Sequence, residues 1–194
     1  MKGPGRRQQG MVLIVVLVAL VLALLAAMST MRTVQTGNAM AGNFSFRQVA
    51  MQASDRAVND ALTDIANRVV GGQGNTAVTN RYLSNIATTV NAMGVPSTID
   101  WTAVPCVDET GGLITDCSAD NGKYRVQYVV ERRCSANPDF LNIADIRARC
   151  EYEASSTALS AASIALRYRI VVRVRGPRGT ESWFEAMVSG PAST

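Results

Sequence analysis

The sequence predicts an α+β fold in which one long N-terminal helix packs on an antiparallel β-sheet. Three observations lead to this prediction: an unbroken apolar run near the N-terminus, a helix-period apolar stripe after it, and alternating apolar and polar residues in the C-terminal half. The 194 residues are enough for one ordinary domain and an appendage. The chain has no histidine, which excludes histidine triads and zinc sites built on histidine.

The first predicted element is a membrane-spanning helix. Residues 11–28 contain only Ala, Val, Ile, Leu and Met. At about 1.5 Å per residue they form roughly 27 Å of helix, close to the hydrocarbon thickness of a bilayer. With the next three residues included, we predict a transmembrane helix over residues 11–31. Because Lys2, Arg6 and Arg7 precede the run, we expect the N-terminus in the cytoplasm and the rest of the chain to be exported.

Three interpretations of this segment remain open. A cleaved secretory signal is one, although the run is longer than a usual signal core and Ala26-Ala27-Met28 is a poor cleavage site. A single-span anchor that carries a periplasmic binding or adhesion domain is the second. The third starts from the residues in front of the run, Arg6-Arg7-Gln8-Gln9-Gly10, which end directly at Met11.

That junction resembles the class III leader of type IV pilins and pseudopilins. The resemblance implies that prepilin peptidase removes a leader of residues 1–10 by cleaving after Gly10, and that Met11 is then N-methylated. It also implies that residues 11–31 enter a filament core. Major pilins carry a glutamate at the fifth mature position, where this chain has Val15. In the family, a glutamate at this position forms an ion pair with the N-terminal amine of a neighbouring subunit. Its absence therefore favours a minor pilin at or near the filament tip.

The helical pattern continues beyond the membrane run, over residues 32–70. Apolar residues recur at spacings of three and four, with polar residues between them. The stripe consists of Phe46, Ala50, Ala53, Ala57, Ala61, Ile65 and Val69. Gly71 and Gly72 end it. Because Gly37 and Gly42 each weaken a helix by up to about 1 kcal/mol, we expect the helix to bend or locally melt near residues 37–43.

The start of this second helical part sharpens the resemblance. Met40-Ala41-Gly42-Asn43, followed by an Ala-rich amphipathic helix, resembles PilX-type minor pilins over about residues 6–65. This implies a pilin-like fold and a role in pilus assembly, initiation, twitching motility and cell adhesion. The implied partners are other minor and major pilins, with a tip adhesin as a further candidate. The precursor is expected in the bacterial inner membrane and the product in a surface pilus. A minor pseudopilin of a type II secretion system is the alternative.

Residues 71–194 form the predicted extracytoplasmic head. A short helix is predicted over residues 82–93, ending at Gly94. A strand over residues 124–130 follows a turn at Asn121-Gly122, and a second strand covers residues 167–175.

The last predicted elements are a turn at residues 176–179 and a return strand over residues 181–189. An odd-length loop keeps Phe184 on the apolar face of the preceding strand. A three-residue loop places Arg173 opposite Glu181 and Arg169 opposite Glu185.

All four cysteines lie on the predicted exported side, which favours disulfides. Of the three possible connectivities we favour Cys106–Cys117 with Cys134–Cys150, since these close the shortest loops at the lowest cost in chain entropy. Each would stabilise the head by about 2–4 kcal/mol. A zinc site is the alternative, but the sequence has no CxxC pair.

No sequence motif points to catalysis. We therefore expect no catalytic, cofactor-binding or metal-binding residues, and no bound cofactor. Phosphate loops, nucleophile elbows and cofactor fingerprints are missing from the sequence. Asp108-Glu109 and Asp116 lack the spacing of a calcium-binding loop.

The basic character of the chain gives little reason to expect a nucleic-acid partner. Net charge is +4, but three of the basic residues lie in the predicted leader, which leaves 16 basic and 15 acidic residues, or +1, from Met11 onward. The arginines of residues 167–175 suggest DNA binding, yet Glu181 and Glu185 are available to pair with them, and the sequence carries no nucleic-acid motif.

Overall fold

The computed structural model describes residues 9–118, 122–154 and 164–192. It is an α+β structure with one long N-terminal helix packed on a largely antiparallel sheet, as predicted. The chain divides into two compact units, with the boundary between Phe46 and Arg47. Helix α1 covers Gln9–Val70; its residues up to Phe46 belong to the first unit, and the second unit contains its remaining turns, the sheet and a short helix.

Of the two outcomes expected near residues 37–43, local melting is wrong, and a bend stays a prediction. Helix α1 continues through Gly37 and Gly42 without a break. A glycine lowers helix stability by about 1 kcal/mol at most, and an established helix only has to propagate through it, so two isolated glycines are too weak to interrupt α1.

The predicted apolar stripe is confirmed, because all seven of its residues are buried. The predicted end of the helix is also confirmed. Gly71 donates its N–H to the Asn67 carbonyl, and Gly72 adopts a φ of +66°, in the left-handed region that favours glycine.

The sheet has seven strands, of which two are long and central. The strands are β1 Tyr82–Leu83, β2 Cys106–Val107, β3 Leu113–Ile114, β4 Arg125–Arg132, β5 Tyr152–Ala154, β6 Ile164–Arg175 and β7 Glu181–Pro191. Strand β6 pairs with β4, β5 and β7. Strand β4 also pairs with β1 and β2, and β2 pairs with β3. Every pairing is antiparallel except β1 with β4. The predicted strands and the return strand are confirmed; Gly122 precedes β4 with a φ of +77°, and Asn121 lies outside the described residues.

The loop between β6 and β7 has odd length, as predicted. It covers residues 176–180, is closed by a hydrogen bond from the Gly176 N–H to the Thr180 carbonyl, and contains a 3-10 turn. The three-residue register is wrong by two positions: Arg173 lies opposite Trp183 and Arg169 opposite Met187. Because the shift is even, every side chain stays on its predicted face.

The predicted helix over residues 82–93 is wrong. Tyr82 and Leu83 instead form β1, where they pair with Val130 and Glu131 of β4. The following irregular chain covers the face of the sheet opposite α1. There it forms a small apolar cluster of Ile99, Val104 and Val129, with Leu83 and Trp101 against it. Strand β4 is therefore buried on both faces.

The two tryptophans of the chain lie together on this covered face. Trp101, from the irregular segment, meets Trp183 of β7 edge to face, with ring centroids 4.8 Å apart. Gln127 holds the same segment in place by donating to the carbonyls of Trp101 and Val104 at 2.8 and 2.7 Å.

Two disulfides and a short helix complete the head. The disulfides join Cys106 to Cys117 and Cys134 to Cys150, which is the pairing that the short-loop argument favours. Helix α2, Ile143–Arg149, lies inside the second disulfide loop and was not among the predicted elements. Its start has a sequence signal, since Asn142 caps it by accepting from the backbone N–H groups of two residues in the first turn.

Candidate functional site

The residues with a predicted processing role lie at the beginning of α1. Gly10 and Met11 are both helical, and the Met11 side chain is 76% exposed. Val15, at the position of the pilin glutamate, is 63% exposed. The basic residues of the predicted leader lie outside the described residues.

The first unit exposes a continuous apolar surface. Every large apolar side chain between Met11 and Val34 is exposed. In the described part of the chain, this is the one helix that is long and apolar enough to cross a membrane, judged by length and composition. Apolar surface in water is unfavourable by about 25 cal/mol per Å². Such a helix therefore needs lipid or other apolar helices around it.

The arginines of β6 are paired with carboxylates on the sheet surface. The closest ion pairs are Arg167–Glu153 at 2.7 Å, Arg169–Glu185 at 2.8 Å and Arg173–Glu181 at 2.6 Å. The fourth arginine, Arg175, lies 3.6 Å from Glu181. The hydrogen bond from Arg169 holds the pKa of Glu185 below its usual range, despite partial burial of the carboxyl. Two of the three carboxylates are the ones predicted from the sequence. Arginines committed in this way present little free positive charge to a phosphate backbone.

A polar cluster joins the second half of α1 to the sheet. Asp64 of α1 accepts from the Arg81 Nε at 3.0 Å and from the Tyr128 hydroxyl at 2.8 Å. The Arg81 guanidinium also stacks over the Tyr128 ring. Burial is the main reason that the pKa of Tyr128 is raised. The cluster lines a cleft of about 320 Å³ between α1 and the Cys106–Cys117 loop.

The groups of this cluster hold one another in place. One carboxylate oxygen of Asp64 accepts hydrogen bonds from both Arg81 and Tyr128, and burial raises the pKa of the Tyr128 hydroxyl. The cluster acts as a polar link between helix and sheet. Sequence reasoning missed it, because Asp64 and Tyr128 are 64 positions apart and neither lies in a recognisable motif.

A second missed residue is Arg132, which is fully buried. Its guanidinium donates to the carbonyls of Ser84 and Gly74 at 2.8 Å each, and to the side-chain oxygens of Asn75 and Asn137 at 2.8 and 3.0 Å. Burial lowers its pKa. It connects the chain leaving α1 with the residue that follows β1 and with the loop that follows β4. The sequence did indicate that Arg132 is buried, because the alternating pattern of β4 places it on the apolar face of the strand.

Asp108, in the first disulfide loop, serves local structure. Asp108 accepts hydrogen bonds from the Thr110 hydroxyl and from the backbone N–H groups of Thr110 and Gly112, which lower its pKa. This is the arrangement of an Asx turn. Within the described ranges, no three acidic or cysteine side chains come together in a way that could hold a metal ion.

Comparison with known proteins gives no relative: no protein-family model matches the sequence, and neither a curated protein nor a solved structure is significantly similar to it.

Proposed function

We propose that this protein is a minor type IV pilin of the PilX type, which acts in pilus assembly or initiation at or near the filament tip. The observation that carries the proposal is the junction at Gly10. A short basic segment ends there, directly against an apolar helical run whose large apolar side chains between Met11 and Val34 are all exposed.

The proposed mechanism is physical rather than catalytic. The precursor sits in the inner membrane through residues 11–31, with its head in the periplasm. Prepilin peptidase removes the leader after Gly10, and Met11 is methylated. The apolar half of α1 then leaves the lipid and packs against equivalent helices of other minor and major pilins. Lipid contacts are exchanged for helix contacts, so van der Waals packing and not the hydrophobic effect drives this step.

Val15 supports a position at the tip. A subunit in the shaft must place a carboxylate near the N-terminal amine of its neighbour, because an unpaired charge in an apolar core is strongly unfavourable. Val15 cannot make this contact. A chain that begins a filament has no such neighbour above it to recruit.

The mature N-terminus tests the proposal. We expect intact-mass and N-terminal peptide analysis of the protein from bacterial membranes to show a chain that begins with N-methylated Met11. Gly10→Val should block cleavage, because a β-branched side chain crowds the bond to be cut, and the precursor should accumulate. Gly5→Val, in the same leader, is the matched control and should be processed normally.

Other N-termini would support the competing functions. A chain that keeps Met1 or begins at Lys2 would contradict the pilin proposal and favour a simple membrane anchor for a periplasmic binding or adhesion domain. A chain that begins near Ser29 would indicate a secretory signal. If Met11 is the start, loss of twitching motility on deletion separates a pilus subunit from a pseudopilin of type II secretion.

A further inference from the structure

Strand β7 forms an open edge of the sheet. It pairs with β6 from Glu181 to Pro191, and no residue in the described ranges pairs with its other side. Its only charged residues are Glu181 and Glu185, and its one proline is the last residue. Natural proteins usually shorten, charge, bulge or cover such edges, because free N–H and C=O groups accept further strands. An uncovered edge of 11 residues is unusual in this respect.

The direction of the free backbone groups on β7 follows from the backbone hydrogen bonds of β6. Arg167 donates its N–H to the Glu151 carbonyl and accepts from the Arg133 N–H, so both of its backbone groups point away from β7. Successive residues of a strand alternate in this direction. The even-numbered residues of β6 therefore bond to β7, where their partners are also even-numbered, such as Ala186 opposite Ile170.

The odd-numbered residues of β7 consequently direct their N–H and C=O groups away from the sheet. They are Glu181, Trp183, Glu185, Met187 and Ser189. Pro191 falls in the same set, which is where an edge strand tolerates a residue without an N–H.

The two faces of β7 define the chemistry of a strand that would fit beside it. Phe184 and Val188 lie on the face that packs toward α1, and both are only half-buried. On the other face, Glu185 has a side chain that is 51% exposed although Arg169 binds it, and Met187 is 45% exposed. Arg169 donates to one carboxylate oxygen of Glu185, Oε2, and the side chain is half exposed. An added strand would place apolar residues beside Phe184 and Val188 and a basic residue beside the exposed part of this carboxylate.

We propose that β7 is a docking edge for an extended strand of a partner protein, in which apolar and basic residues alternate. Main-chain hydrogen bonds to the odd-numbered residues would give the affinity, and the two faces would give the preference for this pattern. The inference does not depend on the proposed function, because it rests on the edge alone.

The free edge is tested first by hydrogen exchange. In NMR spectra of the full chain in a non-ionic detergent, the amides of Trp183, Glu185 and Met187 should exchange fast, and those of Phe184 and Ala186 slowly. Uniform protection along β7 would mean that the edge is already covered, which would overturn the proposal.

The partner chemistry is tested with short synthetic peptides that alternate valine with lysine or valine with glutamate. The lysine peptide should bind and slow exchange of the Glu185 and Met187 amides. Met187→Pro removes one outward N–H and no bond to β6, so it should weaken binding by roughly tenfold. Met187→Val keeps the N–H and is the matched control.

A second variant keeps the test decisive if the proline disturbs folding. Glu185→Lys should reverse the preference toward the glutamate peptide, since like charges placed opposite each other are unfavourable. The proposal fails if the lysine peptide does not bind, if the glutamate peptide binds wild type equally well, or if Glu185→Lys leaves the preference unchanged.

Discussion

At the scale of single residues, the buried Arg132 shows how one side chain holds irregular chain in place. Its guanidinium reaches four acceptors from three separate segments, and none of these acceptors is a carboxylate. Arginine suits this task because its planar fork presents five donors in fixed directions. A shorter or more compact cation could satisfy only part of the set.

Replacing this residue should strongly destabilise the head. Arg132→Ala leaves several buried acceptors without donors and opens a cavity, so we expect the free energy of unfolding to fall by about 3 kcal/mol or more. Urea unfolding followed by circular dichroism measures it. Arg149→Ala is the control: that arginine forms an exposed pair with Asp145, and its loss should change stability by less than about 0.5 kcal/mol. Equal effects of the two changes would contradict this role for Arg132.

At the scale of elements, close packing explains the alanines of α1. Ala50, Ala53, Ala57 and Ala61 are all buried, and Gly190 of β7 comes so near that an added Cβ would lie 3.2 Å from Ile65. Small residues on both sides allow the helix to lie close to the sheet. The helix–sheet interface is therefore already filled.

Overfilling this interface should be unfavourable. Ala61→Leu adds three carbon atoms at a fully buried position, and we expect it to lower the free energy of unfolding by about 1–3 kcal/mol. Asn59→Leu, at an exposed position of the same helix, should leave it nearly unchanged. Thermal unfolding of both variants measures the difference. A neutral Ala61→Leu would show that the helix can move away from the sheet.

Elements governed by local sequence were predictable, and those governed by distant contacts were not. The stripe of α1, its glycine end and the parity of the β6–β7 loop follow from periodicity and turn chemistry. Residues 82–93 have a helix-like pattern, but Tyr82 is held in a strand by pairing with Val130, far away in the sequence. The polar link through Asp64 could not be predicted for the same reason, because its partner Tyr128 is distant in the sequence. The cap of α2 at Asn142, in contrast, is a local sequence feature from which the helix could have been predicted.

At the scale of the whole molecule, apolar exposure is concentrated in the first unit. The second unit has its own core, made by the last turns of α1 and the sheet, and both disulfides lie within it. The first unit is thus the part of the chain that needs lipid or other apolar helices around it, whereas the second unit has the core and the disulfides of a folded domain.

Removing the apolar run should separate these two requirements. We expect a chain that starts at Arg32 to remain in the supernatant without detergent and to keep both disulfides, because no uninterrupted apolar segment is left. The full-length chain should sediment unless detergent is added. Ultracentrifugation with non-reducing peptide mapping measures both properties. Aggregation of the shortened chain would show that the head depends on the membrane half for its own folding.

The edge-to-face contact between Trp101 and Trp183 gives the head a built-in optical reporter. These are the only two tryptophans in the sequence, and both belong to the second unit. Their emission should shift to longer wavelength when the irregular segment leaves the sheet and water reaches the indoles. Because the first unit contains no tryptophan, tryptophan fluorescence of the purified chain follows the second unit alone, with or without detergent.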